Sequence, residues 1–226
     1  MEIFIDSSDI KEINKWVTMG VADGVTTNPS IMLNDGVYDM KKGAKDIATL
    51  IHPRSISVEV TTNDLDEMIA QAEEYASWAS NIVVKVPQEN QDGTQCYGVM
   101  HQLEEKGIKV NATVALSLGQ VILSAKARAT YISIFAGRVG DEGGNPAEVI
   151  RNAAEWLERW KFKSKIIVGS IRSVTDVLQA ATAGAHIITI PPQLIKRMAD
   201  HKYTRDTVRQ FVVDAKKAME KMEKQT

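Results

Sequence analysis

Lys85 stands inside the run NIVVKVP, residues 81–87, between Val84 and Val86. Burying an ammonium in an apolar strand is costly unless it is paired or loses its proton. Burial therefore favours the neutral amine, which attacks carbonyl carbon and can form a Schiff base. The protonated imine is an electron sink, so cleavage of a neighbouring C–C bond becomes feasible. That chemistry needs a proton carrier to form and hydrolyse the imine. It also needs a base for the substrate hydroxyl whose proton leaves as the bond breaks. Glu59 in SVEV (57–60) suits the first task and Asp6 at the end of EIFID (2–6) suits the second. Arg138, Ser170 and Arg172 form an anion pocket by residue type. Two guanidinium groups, a hydroxyl and local backbone N–H groups suit a phosphate or a sulfonate.

These residues share one kind of place in the chain. Each lies late in, or just after, a short β-branched run. The runs are 2–6, 21–28, 55–60, 81–86, 109–114, 130–136, 165–170 and 186–191. Amphipathic stretches such as NDLDEMIAQAEEYASWA (63–79) and NPAEVIRNAAEWLERW (145–160) separate them. The first opens with an Asn or Asp cap, and the second has Pro146 in its first turn. Strands alternating with helices imply a parallel sheet. Eight such units predict a (β/α)8 TIM barrel, with an open doubly wound sheet as the runner-up. In a barrel the strand ends face one mouth. Thr26, Thr27 and Asn28 on strand two, Asn111 and Thr113 on strand five, and Ser133 on strand six would then join the residues above. Singly, each has a plain structural reading: a strand-end Asp or Asn commonly caps a turn, and an arginine after a strand is usually solvated. Seven converging strands are harder to explain that way. Strand eight offers nothing comparable before Pro191.

The bulk properties agree with one domain spanning 1–226. The chain has 226 residues, 44% hydrophobic and 25% charged, with a formal net charge of −2. No clustered basic surface points to nucleic acid. No apolar run approaches the ~20 residues that span a bilayer. The start, MEIFIDSSD, carries acids where a secretory leader needs cations. A single cysteine, Cys96, fits a reducing cytoplasm and excludes an internal disulfide framework. The four histidines show no metal-ligand spacing. GDEGG (140–144) reads as a mobile loop rather than a P-loop, since it lacks the flanking strand and the Lys-Ser/Thr pair. Beyond the eighth unit, residues 204–226 read as an extra C-terminal helix. Phe211, Val212, Ala215, Ala218, Met219 and Met222 make an apolar stripe on it. That stripe packs either on its own barrel or on a neighbouring subunit.

The motifs FIDSSDI with Asp6, GVTTNPS (24–30), SVEV, VVKVP, NAT (111–113), S-x-F-x-GR (133–138) and SIR (170–172) together resemble the transaldolase family. The resemblance is to the short-chain branch that also contains the fructose-6-phosphate aldolases, and it spans essentially the whole chain. It implies that Lys85 forms the Schiff base with a ketose. Glu59 and Thr113 would hold the catalytic water, with Glu59 as acid and base. Asp6 would accept the proton of the donor's C4 hydroxyl. Asn28, Asn111 and Ser133 would hold the dihydroxyacetone part, Arg138, Ser170 and Arg172 would bind the terminal anion, and Thr26 and Phe135 would also bind substrate. No cofactor and no metal are implied. The branch typically forms decamers built from pentameric rings, with the C-terminal helix as the place for exchange between subunits.

Glu59 favours a transferase, because the aldolase members resemble the transaldolases but carry a glutamine at this position. Tyr131 pulls the other way, since aldolase members have a tyrosine near the start of strand six. Phe135 matches the transaldolase S-x-F pattern. Ile134 replaces the usual proline, TVALSLGQ lacks the aromatic residue and proline often found after strand five, and PQENQDGTQCYGVM is longer than the usual loop. The expected reaction transfers dihydroxyacetone from fructose 6-phosphate, or its 6-sulfo analogue sulfofructose. The acceptor would be an aldehyde such as glyceraldehyde 3-phosphate or erythrose 4-phosphate. The alternatives are an aldolase releasing free dihydroxyacetone, and a barrel that binds sugar phosphates without catalysis.

Overall fold

The eight apolar runs form eight strands. The computed structural model, which describes residues 1–224, closes them into a parallel barrel in chain order. The strands are β1 (Glu2–Asp6), β2 (Gly24–Thr26), β3 (Ile56–Glu59), β4 (Ile82–Pro87), β5 (Val110–Ala115), β6 (Tyr131–Phe135), β7 (Lys165–Gly169) and β8 (Ile187–Ile190). β8 pairs back onto β1, which rules out the open sheet. The connections carry α1 (Ile10–Thr18), α2 (Pro29–Asn34), α3 (Met40–Ile51), α4 (Leu65–Ser77) and α5 (Tyr97–Glu105). The later ones carry α6 (Leu118–Lys126), α7 (Ala136–Asp141), α8 (Pro146–Arg159), α9 (Val174–Thr182) and α10 (Pro192–Ala199). α11 (Lys202–Glu223) closes the described chain.

Helix starts follow the local chemistry. Asp64, rather than Asn63, caps α4 by accepting the Glu67 amide at 2.9 Å. Asn145 caps α8, and Pro146 takes its first position, where a missing N–H leaves no bond unmade. The chain trace corrects two boundaries. Strand two is only three residues long, because Thr27 and Asn28 already lead into α2, with Asn28 accepting the Ile31 amide. GDEGG is not wholly a loop: Gly140 and Asp141 end α7. The rest turns back through Gly143 N–H to Gly140 O at 3.0 Å and Gly144 N–H to Val139 O at 2.9 Å.

A strand's period of two divides its side chains between the barrel interior and the helical layer. Ile5, Val25, Ile56, Val58, Val84, Val86, Ala112 and Ile134 belong to one large apolar cluster with the helices. Phe4, Ile167 and Ile187 form a separate plug, with Tyr131 packed against it. Phe4 and Tyr131 meet edge-on, with ring centroids 6.1 Å apart. Gly24 makes room for this plug, since a Cβ there would stand 2.6 Å from the Phe4 ring. Above the plug the inward positions turn polar.

β5 breaks its pairing with β6. Ala112 faces Ile132 but Ala115 faces Ile134, so β5 carries one extra residue. Val114 absorbs it at φ 58°, a conformation that costs a β-branched residue on the order of 1–3 kcal/mol. Such a bulge bends a strand and re-aims its side chains. It lies beside Thr113.

α11 is helical as expected from 204 onward, while residues 225–226 lie outside the described residues. None of its residues is buried, and Phe211, Val212 and Met219 are exposed. It therefore does not bury its apolar stripe on its own barrel. Among the described residues no helix is long and apolar enough to cross a membrane.

Candidate active site

The C-terminal strand ends enclose a cavity of about 410 Å³. Asp6, Thr26, Asn28, Glu59 and Lys85 line one part of it. Ser133, Phe135, Arg138 and Ser170 line the rest. Eight of these are residues that the strand ends are expected to bring to one mouth, and the ninth, Phe135, comes from the family motif.

Lys85 is 4% exposed, and its Nζ lies 2.8 Å from Glu59 Oε2. The same Nζ donates to the Thr27 carbonyl at 3.0 Å. This corrects the expectation of an apolar surround. Val84 and Val86 face the helices, whereas the inward side meets a carboxylate and a carbonyl. The alternation of β4 is the reason. Removing Glu59 alone would leave a buried cation unpaired, at a cost of about 3–5 kcal/mol. A nucleophilic amine must first lose a proton, and Glu59 Oε2 is placed to take it.

Asp6 faces the cavity from the neighbouring side. Thr26, its register partner on β2, donates to Asp6 Oδ1 at 2.7 Å. Burial pushes the Asp6 carboxyl above its ordinary value of 3.8, and the Thr26 hydrogen bond and the Lys85 charge offset part of that rise. Asp35 and Glu59 add to the rise by like-charge repulsion. A carboxylate with raised basicity is a better proton acceptor. The Thr26 hydroxyl also meets Thr189 Oγ1 at 2.5 Å. Thr189 lies on β8 and lines the cavity, so strand eight does contribute. The signal was present in HIITIP: Thr189 is two residues beyond the plug residue Ile187 and so shares its inward face.

Asn111 and Thr113 sit deeper than expected. Neither lines the cavity, and both are fully buried. Ser133 Oγ donates to Asn111 Oδ1 at 2.7 Å, and Asn111 Nδ2 donates to Ser57 Oγ at 3.2 Å. Ser133 is thus the cavity-facing end of a buried polar chain, and Asn111 fixes it from beneath. Thr113 Oγ1 is buried without a hydrogen-bond partner. A buried hydroxyl rarely remains so unless it serves water or a ligand. Asn28 spends its Oδ1 on the α2 cap, which leaves its amide N–H groups for the cavity.

The anion pocket is built differently from the expectation. Arg138 and Ser170 line the cavity, but Arg172 lines an adjacent one of about 370 Å³. Arg172 is held by Asp141 in a fork, with both N···O distances at 2.6 Å. Asp141 also approaches Arg138 Nη1 at 3.5 Å, and the two guanidinium groups hold its carboxyl below the ordinary range. Ser170 takes φ 57°, a left-handed conformation fixed by Gly137, whose N–H donates to Ser170 O at 3.1 Å. A Cβ on Gly137 would fall 2.5 Å from Ser170 O, 2.7 Å from Ser170 Oγ and 2.7 Å from Arg172 Nε. The glycine before Arg138 is therefore what lets Ser170 and Arg172 come so close.

Tyr131 packs at the barrel base with Phe4 and does not line the cavity. Phe135 is the aromatic side chain that lines the cavity.

A family profile described as Transaldolase/Fructose-6-phosphate aldolase matches residues 3–226. The chain belongs to that family. A protein of Dehalococcoides mccartyi named "Probable transaldolase" is 35% identical over 216 residues, covering 96% of this chain and 98% of that one. One of the same name from Lactiplantibacillus plantarum is 38% identical, covering 96% and 97%. Among solved structures, thiamine phosphate pyrophosphorylase from Pyrococcus furiosus shares the barrel architecture, with a TM-score of 0.58 at 12% identity. The alignment covers 84% of this chain and 85% of that one.

If Asp6 works as a base in this family member, its ionisation sets the acid limb of kcat/KM. Thr26→Val removes a hydrogen bond that favours the carboxylate. The limb should move to higher pH. A pH profile of both proteins measures it; an unmoved or lowered limb contradicts the assignment.

Proposed function

We propose that the chain is a lysine Schiff-base transaldolase that carries a dihydroxyacetone unit from a ketose with an anionic end to an aldehyde. The 2.8 Å pairing of Lys85 with Glu59, on the wall of a cavity shared with Asp6 and Arg138, carries this reading. Glu59 takes a proton from Lys85, and the amine adds to the C2 carbonyl of the donor. Glu59 then delivers a proton to the leaving hydroxyl of the carbinolamine, which departs as water and leaves the imine. Thr113 holds that water with Glu59. Asp6 removes the proton of the C4 hydroxyl. The C3–C4 bond breaks, its electrons enter the imine as an enamine, and the shortened aldehyde departs. The enamine then attacks the carbonyl of the incoming aldehyde, whose oxygen takes the proton back from Asp6, and hydrolysis of the new imine releases the product ketose and restores Lys85. Asn28 and Ser133, the latter fixed by Asn111, hold the dihydroxyacetone hydroxyls, and Phe135 walls that part of the cavity. Arg138 and Ser170 bind the terminal anion, with Arg172 behind them.

The donor is fructose 6-phosphate or its 6-sulfo analogue, and the acceptor is glyceraldehyde 3-phosphate or erythrose 4-phosphate. Either anion suits one cavity-lining guanidinium and a hydroxyl. The carboxylate at Glu59 supports transfer over release of free dihydroxyacetone. Among the described residues no group of His, Cys, Asp and Glu side chains is arranged to hold a metal ion. The mechanism above uses only side chains and water. We place the enzyme in the cytoplasm, consistent with one free cysteine.

We also propose that α11 docks on a second copy of the chain, within a decamer of two pentameric rings. Phe211, Val212 and Met219 are exposed on it, and an amphipathic helix gains stability by covering its apolar face. Sedimentation of the full chain should give a particle near ten protomers; a monomer contradicts the proposal.

Turnover of a ketose donor, followed with and without an aldehyde acceptor, tests the reaction. Sustained turnover should require the acceptor, for fructose 6-phosphate or sulfofructose alike. Equally fast cleavage without any acceptor supports the aldolase reading instead.

A further inference from the structure

Gln88, the first residue after β4, is 2% exposed, and nothing in the reaction above uses it. Its Nε2 donates to the Thr113 carbonyl at 3.3 Å. Its Oε1 accepts the hydroxyl of Ser124, a fully buried residue of α6, at 2.8 Å. The orientation is fixed by chemistry, because a carbonyl only accepts, so the amide nitrogen must face Thr113. The Thr113 carbonyl lies at the β5 bulge, where the register shift breaks the ladder to β6 and Val114 adopts φ 58°. Gln88 gives that carbonyl a donor from outside the ladder. Gln88 also anchors the loop after β4, since its carbonyl accepts the Cys96 amide at 3.0 Å. The two segments of the mouth that depart from the family pattern, after strand four and after strand five, thus meet in the Gln88–Thr113 hydrogen bond.

We propose that Gln88 is a positioning residue for Thr113: its amide holds the β5 bulge so that the buried Thr113 hydroxyl stays aimed at the water shared with Glu59. This rests on the role given to Thr113 in the proposed reaction. Gln88→Leu keeps the bulk but gives the Thr113 carbonyl no donor. The bulge can then relax, and the steps that gain or lose water slow, while donor binding, made elsewhere in the cavity, changes little.

A double-mutant cycle separates this from a merely structural role. The quantities are kcat, KM and thermal midpoint for wild type, Gln88→Leu, Thr113→Val and the double variant, with donor and acceptor saturating for kcat. Each single change should lower kcat about tenfold or more with KM nearly unmoved, in line with partial loss of acid–base assistance. The double variant should be no slower than Thr113→Val alone, while its thermal midpoint still falls by the loss seen in Gln88→Leu. Should Gln88→Leu fail to fold, Ser124→Ala, which removes the partner of the Gln88 oxygen, takes its place in the same cycle. Multiplicative losses in kcat overturn the proposal, as does full activity in Gln88→Leu beside an impaired Thr113→Val. Full activity in Thr113→Val overturns the role of Thr113 itself, and this inference falls with it.

Discussion

The ion pair between Lys85 and Glu59 governs the rest of the site. Two ionised groups inside a barrel are tolerated only where each finds the other and the remaining donors find acceptors. Glu59 and the Thr27 carbonyl meet that condition for Lys85. The strands of both acidic and basic partners must therefore be adjacent and in register. β3 and β4 are paired so that Glu59 stands directly opposite Lys85. The pair that makes the lysine bearable in the fold is also the one to which the proposed reaction gives the transfer of its proton.

The same alternation explains the whole interior. Odd and even positions of each strand go to different surroundings, so an apolar run can carry polar chemistry on one side. At the base the inward positions are Phe4, Ile167 and Ile187, a dry plug. Nearer the mouth they are Asp6, Thr26, Glu59, Lys85, Ser133 and Thr189. The apolar partners on the outward face pack against the helices and hold the strands in place. Stability and chemistry thus use alternate residues of the same strands.

The barrel was legible in the sequence because the eight β-branched runs and their intervening helical periods are strong, local signals. Asp6, Glu59, Lys85, Ser133 and Arg138 were legible because strand ends meet at one mouth in this fold. What escaped were features set by partners distant in sequence. Thr189 looked silent until Ile187 marked its inward face. Asp141 lay hidden in a glycine-rich stretch, and only the folded chain shows that it holds Arg172 away from the cavity. The bulge at Val114 has no sequence signature, since a β-branched residue is the least expected at positive φ.

The central claim is that Lys85 is the nucleophile. Borohydride reduction in the presence of a ketose donor, followed by peptide mass analysis, tests it most directly. A covalent adduct of the reduced sugar fragment on Lys85, and its absence without donor, is the predicted result. An unmodified Lys85, or an adduct on another lysine, would contradict the account.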